Sequence, residues 1–405
     1  TIGGQFFDLS LRGFAKPVYL DHLINKHGEE VLSAGRFNLY KKDKGSLAKH
    51  LKTEPSASQY PVLAVAESGD HPIHVLRRGN PALPGPLVSP AFPSIFGESK
   101  LVIPADYKTG NSSGRRRALA EWVASPDNPM TARVMVNRIW QYHFGRGIVR
   151  SSNDFGLQGD DPTHPDLLNW LAHQFVESGW DIKAMHRLIM SSQAYQRSSI
   201  PQDGALLKDP LNDLFWRFDM RRLQAEEVRD SILAVRGSLN LEMGGVSVTP
   251  PLPKIILQTA SQPGKAWGNS TPRQANRRSV YVKVKRSLQD PILLSHDMAD
   301  TDTTCPVRFT TTVPTQALTM MNGEFVNESA LNFAERIRQN AGPSPREQVE
   351  KGLSLVFSRM PKPEEVKAGV RMMEEVAKAG GLSPKEALNR FALLALNLNE
   401  FIYLD

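Results

Sequence analysis

Cysteine is almost absent from this sequence, since Cys305 is the only one among 405 residues. A single thiol excludes an internal disulfide, a CxxC zinc site and a CxxCH haem attachment within the chain. We therefore interpret Cys305 as a small, partly buried residue rather than a reactive one. Proteins without disulfides occur on either side of a membrane, so the cysteine content leaves the redox compartment open.

Long apolar segments are missing as well. No run approaches the roughly 18 apolar residues that cross a bilayer, so we expect no membrane span. The chain opens with TIGGQFFDLS, which contains neither an initiator Met nor a basic-then-apolar signal segment. We therefore expect a mature or excised piece, with any export signal upstream of it.

Familiar catalytic motifs are also lacking. The sequence contains no G-x-S-x-G nucleophile elbow, no P-loop, no dinucleotide fingerprint and no HExxH metal motif. The paired carboxylates of a glycoside hydrolase cannot be identified from one sequence, because nearly any two acids could meet in space. The sequence therefore contains no recognisable catalytic motif.

Positive charge is present in excess. The 49 Lys and Arg residues outnumber the 42 Asp and Glu residues, which gives a net charge of +7 and favours anionic partners. The basic residues are dispersed, and no helix-turn-helix, zinc finger or RNA-binding signature accompanies their densest clusters. We therefore predict no nucleic-acid partner, and we keep an anionic glycan as a candidate ligand.

The periodicity of the apolar residues predicts a mainly α protein with three parts. Residues 1–110 form a strand and loop portion, in which YPVLAVAES and HPIHVLRRG are typical of short strands. Residues 111–325 form a helical core, interrupted by an irregular Pro- and Gly-rich belt at about 244–312. One basic strand is predicted within this belt, at 279–285. Residues 326–405 form a helical C-terminal subdomain.

Several helix starts are marked by capping residues. Asn128 is followed by Pro129, which suits the first position of a helix. Asp181 is flanked by a hydrophobic staple, which predicts an N-cap at that residue. Ser344 and Ser383 are each followed by Pro and, three residues later, by Glu, which is the pattern of a capping box.

Two polar residues lie within the apolar face of the predicted helix TARVMVNRIWQYHFGRG. Arg133 and Asn137 are one turn apart, so their side chains emerge together. A buried guanidinium needs partners, so the favoured interpretation is a structural pair that ties irregular loops to the core. The alternative is a pocket for a carboxylate, sulfate or phosphate, to which Arg146 would contribute.

The following loop, RSSNDFGLQGDDPTHPDLL, contains Asp154, Asp160, Asp161 and His164. Oxygen ligands on a loop could bind calcium, and a His with an Asp could bind zinc or transfer protons. The residues match no known ligand spacing, however. Asp160 and Asp161 also precede a helix N-terminus, where negative charge is stabilised, so capping is favoured over metal binding.

A second acidic loop, SHDMADTDTTCP, contains Asp297, Asp300 and Asp302. Their order is not that of an EF-hand, and the glycine that such a loop needs for its sharp turn is absent. A solvated acidic loop is therefore favoured, with calcium in either loop as the alternative. His143 lies within a predicted helix, where a hydrogen-bonded interface side chain is favoured over a catalytic base.

Long blocks of the chain match a known family. GRRRALAEWVASPDNPMTARVMVNRIWQYHFGRGIVRSSNDFGLQG resembles the core of the planctomycete PSD-one family, domain of unknown function 1553. FWRFDMRRLQAEEVRDSILAVRGSLN, TVPTQALTMMNGEFV and LNLNEFIYLD are similar to later blocks of that family. The resemblance covers about residues 60–405.

This resemblance implies a setting rather than a reaction. Members of the family usually follow a c-type cytochrome module and a second uncharacterised domain in large exported proteins. It therefore implies an extracytoplasmic location, periplasmic or at the cell surface, and a cytochrome module or another protein as partner. Any haem would belong to an upstream module or a partner, because this chain carries no haem motif. The family provides no catalytic residues to transfer.

The favoured function is an extracytoplasmic binding or scaffold module of a cytochrome c-associated protein. One alternative is a docking surface for a cytochrome in electron transfer, whose affinity would fall with salt. The other alternative is a hydrolase-like enzyme acting on anionic or sulfated polysaccharide. In that enzyme Arg133, Asn137 and Arg146 would bind the acidic group of the substrate. His143, or His164 together with Asp154, would transfer protons.

Overall fold

The computed structural model of the protein describes residues 17–53, 65, 72–96, 101, 103–108, 112–259 and 267–404. The chain divides into two compact units, Thr1–Val65 and Ala66–Asp405. Helices dominate the described residues, which confirms the predicted mainly α fold. No helix among those residues is both long and apolar enough to cross a bilayer.

The first unit contains two helices that the sequence analysis did not predict, α1 (Pro17–Val31) and α2 (Ala34–Thr53). They approach each other where Gly28 faces Phe37. A Cβ at Gly28 would lie 2.4 Å from Cε2 of Phe37, so the missing side chain makes room for that buried ring. The strand predicted for YPVLAVAES, at residues 60–68, lies outside the described residues apart from Val65.

The second unit begins with a small antiparallel sheet of β1 (Ile73–Leu76) and β2 (Pro84–Val88), which confirms the strand predicted in HPIHVLRRG. Helix α3 (Arg115–Ala124) follows. Three short 3₁₀ helices lie in this stretch, at Arg77–Gly79, Ser94–Phe96 and Ala105–Tyr107.

A first helical cluster is formed by α4 (Thr131–Phe144), α5 (Pro165–Glu177), α6 (Ile182–Met190) and α7 (Asp203–Lys208). Its core is aromatic: the rings of Trp140 and Phe144 stack at 4.2 Å, and both meet Phe215 edge-on. Ring pairs of this kind add to the stabilisation from their buried area. Helix α4 is therefore packed on most of its circumference, as its sequence indicated.

The predicted capping residues have mixed outcomes. Asp181 caps α6 and accepts the N–H groups of Lys183 and Ala184, as predicted. Helix α4 starts at Thr131, so Asn128 is not its N-cap, although its Oδ1 accepts the N–H of Thr131 at 3.2 Å. A turn between Asn128 and the helix accounts for the shift.

The middle of the unit is irregular and begins with a two-residue strand, β3 (Arg221–Arg222). Its helices are α8 (Ala225–Val235), α9 (Lys254–Gln258), α10 (Pro272–Ala275), α11 (Pro291–Ser295) and α12 (Pro314–Asn322). The strand predicted at 279–285 is wrong, because Ser279–Tyr281 is a 3₁₀ helix. The alternating valines share no buried face: Val282 is buried, but Val280 is 69% and Val284 62% exposed.

The C-terminal helices form a second cluster. They are α13 (Glu324–Asn340), α14 (Pro345–Phe357), α15 (Pro363–Gly380), α16 (Pro384–Ala395) and α17 (Asn399–Ile402). Ser344 and Ser383 cap α14 and α16 in capping boxes with Glu347 and Glu386, as predicted. The final strand, β4 (Tyr403–Leu404), pairs with β3, so the chain end returns to the start of α8.

Close packing in this cluster depends on two helical glycines. A Cβ at Gly369 of α15 would lie 2.6 Å from Cγ1 of Val349, and one at Gly352 of α14 would lie 2.8 Å from Cε1 of Phe391. Val349 and Phe391 are fully buried core residues. The two glycines therefore allow α14, α15 and α16 to approach more closely than alanines would.

Gly369→Ala should destabilise the protein even though alanine is the better helix former. Overpacking a dense core costs about 1–3 kcal/mol, which exceeds the gain of about 1 kcal/mol in helix propensity. Gly204→Ala in α7 is the matched control, since no atom lies within 4 Å of its added Cβ. Urea unfolding of both variants should show a loss only for Gly369→Ala, and an equal or higher stability for it would contradict the packing.

Candidate functional site

A cavity of about 730 Å³ lies in the second unit, beside α8, the start of α11 and one face of α13. The proline-rich segment at 250–253 and the start of α10 complete its walls. Both α8 and α13 are anchored in the core, through side chains such as Ile232 and Phe333 that are fully buried. The cavity is thus bounded by packed helices on one side and by the irregular belt on the other.

Arg229 of α8 lies in the wall of this cavity and is only 1% exposed. Its guanidinium donates to the carbonyl oxygens of Ala275 at 2.7 Å and Arg277 at 3.2 Å, and to Oγ of Ser279 at 3.1 Å. Burial lowers the pKa of Arg229, and the nearby Asp290 and Asp230 oppose that effect. Its Nη donors are therefore committed to the irregular belt.

Asp290 is the second buried ion in the wall, with 8% exposure. It caps α11, since Oδ1 accepts the N–H of Ile292 at 3.0 Å and of Leu293 at 3.5 Å. Its other oxygen, Oδ2, has no hydrogen-bond partner among the described residues. Burial raises the pKa of Asp290, opposed mainly by the positive charge of Arg229.

Two more arginines border the cavity and join α8 to α13. Arg236 donates to Oγ of Ser238 at 2.5 Å, Oγ of Ser329 at 3.0 Å and Oδ1 of Asn276 at 2.6 Å. Arg336 donates to the carbonyl oxygens of Ala234 and Val235, at 2.8 and 2.6 Å, which are C-terminal carbonyls of α8. The last carbonyls of a helix have no intrahelical partner, so Arg336 adds a donor at this helix end.

The opposite rim carries a row of acceptors on α13. Glu324, Glu328, Asn332 and Glu335 are spaced by three or four residues, which places them on one exposed helix face along the cavity. Glu335 accepts from Gln339 at 3.0 Å and from Arg338. In the described part of the chain the side chains of Glu324 and Glu328 accept no hydrogen bond. The rim therefore offers free carboxylate oxygens.

The sequence analysis did not identify this cavity, although here too a charged residue lies within the apolar face of a helix. Arg229 follows Val228 and lies one turn from Ala225 and Leu233, inside the buried stripe of α8. This is the same pattern that drew attention to Arg133 and Asn137 in α4. Asp290 had a weaker signal, since an Asp before Pro and an apolar run is typical of any N-cap.

Arg133 and Asn137, which the sequence paired, have separate partners. Asn137 is completely buried, and its carboxamide makes two 2.9 Å hydrogen bonds to the N–H and the carbonyl oxygen of Val149. The side chain of Arg133 is partly exposed and donates to Oδ1 of Asn169 on α5. Asn137 thus ties a loop to the core, in the manner of the structural interpretation.

That tie requires a glycine. A Cβ at Gly147 would lie 2.6 Å from Nδ2 of Asn137 and 2.4 Å from the carbonyl oxygen of Val149. Arg146, the residue before Gly147, has other partners: it donates to the carbonyl oxygen of Leu211 at 2.7 Å and to Oδ1 of Asp213 at 3.3 Å. The predicted ligand-binding residues Arg133, Asn137 and Arg146 therefore have different partners.

The three candidate proton carriers each have a different partner. His143 of α4 shares a 2.8 Å hydrogen bond with His186 of α6 and meets Tyr195 edge-on. His164 caps no N–H of α5 with its side chain, and its Nδ1 lies 3.0 Å from Oγ1 of Thr163. Asp154 accepts the N–H of Gly156 at 2.9 Å, which makes a local turn.

Asp160 and Asp161 line a second, small cavity of about 120 Å³ together with Arg133 and Asn169. The backbone N–H of Asp160 donates to Oγ of Ser151 at 2.8 Å, which fixes the loop. Three of the predicted residues therefore come together here, since the guanidinium group of Arg133 and the carboxylates of Asp160 and Asp161 line the same cavity.

The later acidic loop is held by protein partners. Asp297 pairs with buried Arg222 at 2.6 Å, Asp302 pairs with Arg286 at 2.8 Å, and Asp300 accepts the N–H of Asp302. Within the described ranges, no group of three or more His, Cys, Asp or Glu residues is placed to hold a metal ion.

Asn137→Leu should destabilise the protein strongly, because the N–H and carbonyl oxygen of Val149 would both lose their buried partner. Two such groups cost about 2–6 kcal/mol in total. Arg133→Met is the control on the same helix, and losing its hydrogen bond to Asn169 should cost about 1 kcal/mol. Chemical denaturation tests both variants, and the structural assignment of Asn137 would be refuted by similar, small losses.

His143 should make the fold less stable in mild acid. Burial lowers its pKa, as do His186 and Arg221, so the folded state holds its proton less firmly than the unfolded state. The contribution is complete above the unfolded pKa of about 6.5 and is lost as pH falls below it. His143→Gln should flatten the decline between pH 7.5 and 5.0 in urea unfolding, whereas the exposed His173→Gln should not. Equal declines in both variants would rule out His143 as the source.

Comparison with known proteins gives one positive result. Neither the curated proteins nor the solved structures that were searched gave a significant match. The family described as "PSD1: Protein of unknown function (DUF1553)" matches residues 115–373, which is more than half of the chain. The match spans α3 to most of α15 and therefore includes Arg229, Asp290 and the whole rim on α13. The chain belongs to this family of unknown function, DUF1553.

Proposed function

We propose that this protein is a ligand-binding module whose ligand occupies the cavity beside α8, α11 and α13. The observation that carries the proposal is the cavity itself, about 730 Å³ in volume with the buried ions Arg229 and Asp290 in its wall. Ligand sites typically measure about 300–1,000 Å³ and contain a few converging polar groups. Buried ionisable groups with shifted pKa values in a cleft are a further mark of such sites.

The cavity has features of a preformed site. Arg336 bonds the C-terminal carbonyls of α8, and Arg236 bonds Ser329 of α13, so two hydrogen-bonded braces hold the helices at a fixed separation. The same helices are packed in the core through fully buried side chains. A site that is rigid before binding loses little conformational entropy when the ligand arrives, which favours affinity.

The setting of the module is a finer part of the proposal. We propose that it works outside the cytoplasm, as part of an assembly that contains a c-type cytochrome module. Support for this part comes from the family resemblance, whose members usually follow such a module in exported proteins. Haem would then belong to that neighbouring module, and the cavity would serve a different ligand.

Asn332→Trp should abolish ligand binding without unfolding the protein. Asn332 is exposed at the middle of the rim, so an indole there would cover the cavity without entering the core. A panel of neutral, anionic and cationic metabolites and oligosaccharides is screened by thermal unfolding of the wild-type chain. A ligand at 100 times its Kd adds about 2.7 kcal/mol to stability, which moves the midpoint measurably.

Leu331→Trp is the matched control, because Leu331 is an exposed neighbour on α13 that does not line the cavity. The expected result is a stabilising ligand whose effect persists in Leu331→Trp and disappears in Asn332→Trp. The proposal fails if no member of the panel stabilises the wild type. It also fails if every ligand found stabilises both tryptophan variants equally.

A further inference from the structure

In the cavity wall the arginines already make hydrogen bonds to the protein, whereas several carboxylate oxygens do not. The Nη groups of Arg229 and the guanidinium groups of Arg236 and Arg336 already donate to carbonyl, hydroxyl and amide oxygens of the protein. The Nε group of Arg229 is also buried, without a partner and closed to solvent. Much of the donor capacity of these arginines is therefore already used by the protein, although Nε and Nη2 of Arg336 make no hydrogen bond to the described residues.

Acceptors, in contrast, remain free. Oδ2 of Asp290 has no hydrogen-bond partner among the described residues, although the side chain is more than nine-tenths buried. A carboxylate on a largely buried residue is costly unless donors reach it. On the rim, the carboxylates of Glu324 and Glu328 are also without donors in the described part of the chain. These free acceptors therefore favour a ligand that carries hydrogen-bond donors.

The charges in the wall restrict the ligand further. Three guanidinium groups face four carboxylates, namely those of Asp290, Glu324, Glu328 and Glu335, so the two signs nearly cancel. An anionic ligand would meet the free carboxylates of Glu324 and Glu328 as well as the guanidinium groups, most of which already donate to the protein. A cationic group at Asp290 would be attracted by the carboxylate but repelled by the buried guanidinium of Arg229, which lies in the same wall. Neutral donors satisfy both conditions, and hydroxyl groups are the neutral donors that a ligand can present in several directions.

We propose, building on the proposed function, that the ligand is a neutral, hydroxyl-rich molecule of oligosaccharide type. One hydroxyl group donates to Oδ2 of Asp290 at the buried end of the cavity. Other hydroxyl groups donate to Glu324 and Glu328 at the rim. This assignment opposes the anionic ligand that the net charge of the chain had favoured.

The test is isothermal titration of the wild-type chain with matched trisaccharides that differ in charge. Cellotriose, maltotriose, xylotriose and triacetylchitotriose are neutral, trigalacturonate is anionic, and deacetylated chitotriose is cationic. The expected result is binding of at least one neutral trisaccharide, at least about tenfold tighter than either charged one. Tighter binding of trigalacturonate or of deacetylated chitotriose overturns the proposal, and so does the absence of binding by every neutral member.

Asp290→Asn localises the binding. Asparagine caps a helix as well as aspartate does, so the N-cap of α11 is kept while Oδ2 is replaced by a donor. Affinity for the neutral trisaccharide should fall about 10- to 100-fold. Asp181→Asn, the same change at the N-cap of α6, is the control and should bind as the wild type does. Equal affinities in the two variants contradict the role of Asp290.

A second variant avoids the buried position in case Asp290→Asn does not fold. Glu328→Lys replaces a free rim acceptor on an exposed residue and should weaken the same binding, whereas Glu374→Lys, exposed on α15, should not. Unchanged binding in Glu328→Lys contradicts the proposed contact. Binding of a charged ligand that Asn332→Trp abolishes would overturn only the neutral ligand and leave the proposed function intact. If no ligand is lost in Asn332→Trp, both proposals fail.

Discussion

Buried arginines bonded to backbone carbonyls hold the irregular belt against the helices, and the second unit depends on this arrangement. Arg229 bonds the carbonyl oxygens of Ala275 and Arg277, and Arg277 in turn bonds those of Glu242 and Val246. Arg222 reaches the carbonyl oxygen of His296 from β3 in the same way. Backbone groups outside helices and sheets still need partners when buried, and a guanidinium can serve several of them at once.

This arrangement also affects the chemistry of the cavity wall. Guanidinium groups fix the belt at several points beside the cavity that α8 and α13 border. The same bonds use arginine donors that would otherwise be open to the cavity. The wall also contains carboxylate acceptors, chiefly Asp290 and the glutamates of α13. A structural requirement of the belt thereby limits the arginine donors that the cavity wall offers.

Local rules predicted local features of this chain well. The capping boxes at Ser344 and Ser383 and the N-cap at Asp181 depend on residues three positions apart, so the sequence contains everything needed to identify them. The strand predicted at 279–285 is wrong because an alternating pattern requires a partner strand; here a single bridge forms at Val282, which is the only buried one of the three valines. The role of Asn137 was recognisable as a buried polar contact, but its partner, Val149, is 12 residues away. The cavity was beyond prediction, since its walls come from segments between 229 and 339.

The net charge of the whole chain and the individual charges in the cavity wall act over different distances. A net charge of +7 describes the field that a distant partner meets, and it led to the expectation of anionic ligands. Inside the cavity individual groups matter instead: the three arginines already donate to protein oxygens, while Glu324 and Glu328 accept no hydrogen bond from the described residues. Over a distance longer than about 10 Å, exposed charges are largely screened by salt, so remote lysines do not offset nearby glutamates. The net charge of the chain and the charges inside the cavity are therefore separate properties.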